Sequence, residues 1–385
     1  MKLLRGKRGT FSIICCLVML SIFVSACGSA NTGTGGTNSN STPSASSANG
    51  KGCKKIGVSL PETNTSFRWD RYDRPELVSN ISSQLGIAQS DILVNNAQGS
   101  AQTQQQQAES MLSQGACILV VAPADSTSAA AIVTEAKNQH VPVVAYDRMI
   151  NNKDVTAYVS FQGVDVGKLQ GQYIADHYQQ YVSQDGNNNL VIINGSQTDN
   201  NALLFKQGLH ASIDSLISSK KLTTVYEQFT DWTSKVAQQD MDAALSKTSN
   251  KVAVAYVAND DMANSVIASL KQVHLDKKVL VTGQDASLVA MTNILNGDQA
   301  MTIYKNYKKE AADTAKVVAA ISNGTDVTTV ATQQAQTANG DNVPAILEEP
   351  VAVDKNNLKS TILADNFYTK DEICKGIAAG TDGIC

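Results

Sequence analysis

From Lys54 onward the chain alternates short Val- and Ile-rich runs with longer stretches whose apolar positions recur at helical spacing. The short runs are KKIGVSL (54–60), DILVNN (91–96), CILVVAP (117–123), VPVVAYD (141–147) and TAYVSF (156–161). They are apolar at both alternations, the pattern of strands covered on both faces. Helical patterns near 70–86, 100–114 and 126–139 lie between them. The grammar then restarts. It predicts a helix over about 163–180, strands over 190–195, 223–229, 252–259, 279–285 and 300–305, and helices near 201–218, 233–248, 261–273 and 287–296. A last helix near 308–322 and a strand-like run at 346–353 complete it. Strands alternating with helices make parallel sheets. The expected fold class is therefore α/β, two doubly wound parallel-sheet lobes joined by a hinge. One lobe is expected over 53–161 plus about 306–347, the other over 162–305 plus about 348–385.

The N-terminal pattern is different. Residues 1–9 are basic, and 11–24 form an apolar run of signal-peptide length, short for a membrane span. Val24-Ser25-Ala26-Cys27 follows and resembles a bacterial lipobox. That resemblance implies that 1–26 is a lipoprotein signal peptide and that Cys27 carries diacylglycerol on the outer face of the cell membrane. An uncleaved anchor is the alternative, and it too puts the rest of the chain outside the cytoplasm. Residues 27–52 are almost all Gly, Ser, Thr, Asn and Ala, the composition of a flexible tether.

Composition adds exclusions. The chain has 385 residues, 42% of them hydrophobic and 17% charged, which suits about two globular domains. Net charge is −4, and without the basic signal segment it is −8. An acidic surface makes nucleic acid a poor partner. Of seven cysteines, Cys15 and Cys16 fall in the signal segment and Cys27 takes lipid, leaving Cys53, Cys117, Cys374 and Cys385 with three possible pairings. Cys53 and Cys117 begin strands that would be parallel neighbours, so a Cys53–Cys117 bridge is expected, with Cys374–Cys385 closing a short C-terminal loop. Their spacing fits no zinc motif, the four histidines are scattered, and neither a metal nor a cofactor is expected. The Gln104–Gln107 run reads as a solvated helix face.

In open α/β sheets ligands sit at the carboxyl ends of the strands. Those positions carry Arg68 and Trp69, Asp147 and Arg148, Asp199 and Asn201, Trp232, Asn259 with Asp260 and Asp261, Asp285, and Lys305. Both tryptophans of the chain are among them. Asp, Asn, Arg and Lys satisfy sugar hydroxyls by directed hydrogen bonds, and indoles pack on the C–H faces of a pyranose. Singly, each has a plainer reading: Asp199, Asp260 and Asp261 as helix caps, Asp147–Arg148 as a structural ion pair, Trp232 as core and Lys305 as surface. Those readings leave unexplained why one chemical palette recurs at successive strand ends.

The stretches AYDRMIN (145–151), DNNA (199–202), GQDA (283–286) and MTIYK (301–305), in this order, resemble the periplasmic sugar-binding proteins of the ribose/xylose type. The resemblance covers roughly 54–370. It implies a monosaccharide ligand, xylose in first place, held by Arg68, Asp147, Arg148, Asn201, Trp232, Asn259, Asp285 and Lys305. Trp69 would be a second stacking face and Asp199 a neighbour. It further implies a monomer that serves an ABC permease and its ATPase in trans. The loop PETNTSF (61–67) departs from the family pattern. A sensory receptor of the same fold, acting with a membrane kinase or chemoreceptor, is the alternative. A glycosidase would need a general acid, and Asp147 and Asp285 both sit beside cationic or amide side chains that keep a carboxylate ionised. An enzyme is therefore not expected. A repressor of this fold would need a helix-turn-helix where the signal segment lies.

Overall fold

A computed structural model describes residues 48–63, 65–183 and 186–385. The signal segment, Cys27 and the tether up to residue 47 lie outside the described residues. In chain order the first elements are β1 (Ile56–Leu60), α1 (Arg74–Leu85), β2 (Ile92–Asn96), α2 (Ala101–Ser113), β3 (Ile118–Val121), α3 (Ala130–Asn138), β4 (Val143–Tyr146) and β5 (Ala157–Phe161). Then come α4 (Gly163–His177), β6 (Asn189–Asn194), α5 (Asn200–Ser218), β7 (Thr223–Phe229), α6 (Ser234–Lys247), β8 (Val254–Val257), α7 (Asp260–Gln272), β9 (Leu280–Val281), α8 (Leu288–Asn296) and β10 (Thr302–Tyr304). The chain ends with α9 (Tyr307–Asn323), β11 (Gln333–Gln336), β12 (Asn342–Glu348), β13 (Val351–Val353) and α10 (Lys370–Ile373).

Seven strands make the first sheet, in the order β11-β12-β5-β4-β3-β1-β2, parallel except for the β11–β12 hairpin at its edge. The second sheet is parallel, in the order β7-β6-β8-β9, with β10 and β13 forming a separate antiparallel pair beside it. Helices cover both faces, so strands such as β1, β3, β4 and β8 are buried along their whole length. α9 packs on the first sheet, where Ala311, Ala315, Val318 and Ile321 share a core with Ile56, Val144 and Val159. The chain therefore passes between the sheets three times, at 161–163, 305–307 and 348–351.

Several departures from the sequence pattern have physical causes. The run 346–353 is two strands, not one, because Pro350 lacks an N–H for a continuous ladder and the chain changes sheets there. Gln104 is fully buried rather than solvated: its amide donates to Ser59 Oγ and Ala122 O and accepts from Ala124 N. Residues 48–52, tether-like in composition, are fixed. Gly52 N donates to Ser322 O, and Gly50 is buried where a Cβ would meet Ile321 and Pro142 at 2.7 and 2.8 Å. Disulfides join Cys53 to Cys117 at the starts of β1 and β3, and Cys374 to Cys385 in the C-terminal tail.

α4 and α5 touch backbone to backbone: a Cβ on Gly167 would lie 1.8 Å from Phe205 O, and one on Gly208 would lie 1.9 Å from Val164 O. Only glycine permits that approach. Gly208→Ala is expected to lower stability by about 2 kcal/mol or more, since the backbones must separate. Urea unfolding measures this; an unchanged midpoint would show that the two helices do not meet here.

Candidate functional site

The carboxyl ends of both sheets open on one narrow cavity. Arg68, Trp69, Asp147, Arg148, Asp199, Asn201, Trp232, Asn259, Asp285 and Lys305 all line it, so ten of the twelve strand-end residues singled out in the sequence come together. Thr65, Ser66, Phe205 and Gln284 complete the wall. Asp260 is drawn away from it, accepting from Ser287 N, Gln299 Nε2 and Thr302 Oγ1 within the second sheet's half.

Two guanidinium groups organise the first sheet's side. Arg68 Nη1 donates to Asp147 Oδ2 at 2.7 Å, while its Nε and Nη2 hold Asp73 bidentately at 2.8 and 2.6 Å. Glu310 Oε2 accepts a further Nη2 bond at 2.7 Å. Arg148 grips Glu62 through Nη2 and Nη1 at 2.6 and 3.2 Å and reaches across to Asp199 Oδ2 with Nε at 2.8 Å. Both guanidinium carbons lie over the Trp69 ring, 4.8 and 5.2 Å from its centre. Its buried Nε1 has no acceptor among the described residues.

On the second sheet's side, helix caps and cavity-lining groups coincide. Asp199 caps α5 by accepting from Asn201 N, and also accepts from Trp232 Nε1 at 3.1 Å. Asn259 caps α7 and donates from Nδ2 to Thr65 O across the cavity. Trp232 lies flat on Gly195, where a Cβ would sit 2.2 Å from the indole. Lys305 Nζ lies 3.1 Å from Asp285 Oδ1 and 3.4 Å from Asp147 Oδ2. Asp147, Trp232 and Asp285 have φ of 57°, 60° and 90°. Non-glycine residues avoid this left-handed region, and strain of this kind collects at functional sites.

Burial opposes every charge here, and the pairing decides the outcome. Burial pushes the Asp147 carboxyl up, but Arg68, Lys305 and Arg148 outweigh it and hold it well below the usual range. Burial likewise works against Arg68, Arg148 and Lys305, yet their carboxylate partners raise all three. At Asp199 burial wins over the Arg148 charge and the carboxyl is raised. Each cation is thus matched by acids already present, and what remains for a ligand is a rim of hydrogen-bond donors and acceptors with two indoles.

Glu62, Asp73, Glu310 and Phe205 were not singled out in the sequence. Phe205 follows Asn201 by four residues on α5 and shares its face, a spacing that marks it. Asp73 and Glu310 sit inside helical turns, where a carboxylate reads as a solvated face.

A sequence profile of the periplasmic binding protein domain matches residues 56–326. The chain is 36% identical over 321 residues to the D-xylose-binding periplasmic protein of Haemophilus influenzae, covering 83% of this chain and 92% of that one. It is 33% identical to the D-xylose-binding periplasmic protein of Escherichia coli K12 over the same shares. Among solved structures, an ABC transporter solute-binding protein of Clostridium phytofermentans with bound β-D-glucose superposes with a TM-score of 0.71 at 29% identity, covering 83% of this chain and all of that one.

The two sides of the cavity are also joined through Asp261, a buried carboxyl that burial and Asp285 keep from ionising easily. Asp261 Oδ2 accepts from Phe67 N at 3.0 Å. Burial pushes the Asp261 carboxyl up, the Phe67 bond pulls it down, and the Asp285 charge adds to the push, giving about 6 against 3.8 for the free group. Because the folded value lies above the unfolded one, stability from this group is complete below 3.8 and is lost as pH rises through about 6. The unfolding free energy of the wild type, taken relative to Asp261→Asn, is therefore expected to fall between about pH 4 and about pH 7. Denaturant titrations at a series of pH values test it; parallel curves for the two proteins would refute it.

Proposed function

The chain belongs to the periplasmic binding protein domain family, of the ribose/xylose sugar-binding type, and from that premise we propose that it captures a monosaccharide in the cavity and delivers it to an ABC importer. The observation that carries this reading is the cavity wall itself. Its three cations are neutralised by acids of the protein, so it suits an uncharged ligand. Its remaining donors and acceptors suit hydroxyls, each of which both gives and takes a hydrogen bond. Trp69 and Trp232 offer flat apolar surface to the ring's C–H faces. A phosphate or carboxylate ligand would need unopposed positive charge.

Xylose is the first candidate, because the relatives at 36% and 33% identity are D-xylose-binding proteins, while the glucose-holding structure stands at 29%. On this reading the lobes are 53–161 with about 306–347, and 162–305 with about 348–385, turning about the three crossings. The protein acts as a monomer. Cys27 carries the lipid that keeps it at the outer face of the membrane, and permease and ATPase act in trans. Sugar is bound and released without turnover.

Calorimetry against xylose, glucose, ribose, arabinose and galactose tests the function. Micromolar or tighter binding is expected for xylose, and silence across the panel would end the reading. Asp147→Asn is expected to weaken binding by roughly 30- to 1,000-fold, because the buried network around Arg68 and Lys305 loses its negative charge and one of two acceptor oxygens. Cys27→Ser is expected to move the protein from the membrane fraction to the soluble one; unchanged membrane retention would remove the lipid anchor from the proposal.

A further inference from the structure

Of the three carboxylates on Arg68, only Asp147 lines the cavity. Asp73 and Glu310 are wholly buried behind it, and Tyr146 closes the far side by donating its hydroxyl to Asp73 Oδ1. A guanidinium has five N–H groups. Asp73 engages Nε and one Nη2 hydrogen, Glu310 the other Nη2 hydrogen, and Asp147 one hydrogen of Nη1. One Nη1 hydrogen is left. Asp73 grips one edge of the planar group; Glu310 takes the remaining Nη2 direction and so fixes the opposite corner against movement.

Asp147 depends on that fixation. Its backbone is held in the left-handed region, and its carbonyl accepts from Tyr158, Ser160 and Asn201. Its carboxylate is aimed by Arg68 and Lys305 at Oδ2 and by Asn201 at Oδ1. Glu310 lies on the first turn of α9, directly after the crossing that begins at Lys305. The same short segment therefore reaches the Arg68–Asp147 pair from two directions.

We propose that Glu310 is a positioning residue of the ligand site, holding Arg68 so that Arg68 in turn sets the direction in which Asp147 offers its carboxylate to the sugar. This rests on the reading of the cavity as a sugar site. Burial and the neighbouring Asp147 charge push the Glu310 carboxyl well above its ordinary range despite Arg68. Its Oε1 has no hydrogen-bond partner among the described residues. Glu310 acts through Oε2, which accepts from Arg68 Nη2, and the carbonyl oxygen of an amide can accept in its place.

The test is xylose calorimetry on the full chain, with melting temperature measured for every variant. Glu310→Leu fills the volume but removes the acceptor, and is expected to raise Kd about 10- to 100-fold, the effect of losing a charge-assisted bond. Glu310→Gln is expected to stay within about threefold of wild type. In an Asp147→Asn background, Glu310→Leu is expected to change Kd by less than about threefold, because the route through Asp147 is already cut. A folded Glu310→Leu that binds like wild type overturns the proposal. So does a Glu310→Gln as weak as Glu310→Leu, or a Glu310→Leu loss that adds in full to that of Asp147→Asn. If Glu310→Leu does not fold, Asp73→Asn takes its place in the cycle, with the same non-additivity expected and full additivity overturning the positioning route. Wild-type silence toward the sugar panel is a different failure, that of the sugar reading, and is seen before any variant is made.

Discussion

The arrangement depends on keeping two guanidinium groups charged in a place almost without water. Arg68 and Arg148 are 1% and 5% exposed. An isolated ion there would cost several kcal/mol, and mutual attraction offsets that only when geometry is good and the remaining hydrogen-bonding sites are filled. The chain meets the condition with acids drawn from distant places: Asp73 and Glu62 from the first loop region, Asp147 from the end of β4, Glu310 from α9, Asp199 from the cap of α5. Once these partners are in place the loops that carry them have few alternatives. Removing any one of these acids would leave a buried charge short of a partner.

The same economy appears in the way single residues serve both fold and cavity. Asp199 caps a helix, accepts from an indole and pairs with Arg148. Asn259 caps α7 and reaches the opposite loop. A helix N-terminus at the carboxyl end of a strand supplies backbone N–H groups that need an acceptor, so the residue type that stops the strand well is also one that binds hydroxyls well. The plainer reading of these acids as caps and the functional one are therefore compatible. Asp147, Trp232 and Asp285 reach the cavity by another route: each has a left-handed φ, unfavourable for its side chain and held by surrounding contacts.

The sheets and their strand ends were legible because a buried parallel strand announces itself as an unbroken apolar run, and the polar residue that ends it stands out. YDR after VVA, and NDD after VAYVA, needed no tertiary information. The β11–β12 hairpin was not legible, since Gln333–Gln336 is polar and mostly exposed at the sheet's edge. Glu310 and Gln104 were hidden for another reason. Both occupy helix positions where polarity normally means solvent, and only the packing of that helix on a sheet end converts them into buried partners. Sequence patterns report which face of an element is apolar; they do not report which polar group on that face will find a mate.

The contacts across the cavity also bear on how a ligand could move the protein. Arg148 to Asp199, Asn201 to the Asp147 carbonyl, Asn259 to the Thr65 carbonyl and Phe67 to Asp261 all join the two halves directly. A ligand shifts a conformational equilibrium only by its difference in affinity for the two states. Where protein groups already bond across the gap, the closed form needs less from the sugar, and most of the sugar's binding energy can appear as affinity. Asp261 works against this: above about pH 6 its carboxylate is ionised in a buried place beside Asp285. The surface between the halves thus combines several bonds that favour contact with one buried charge that resists it.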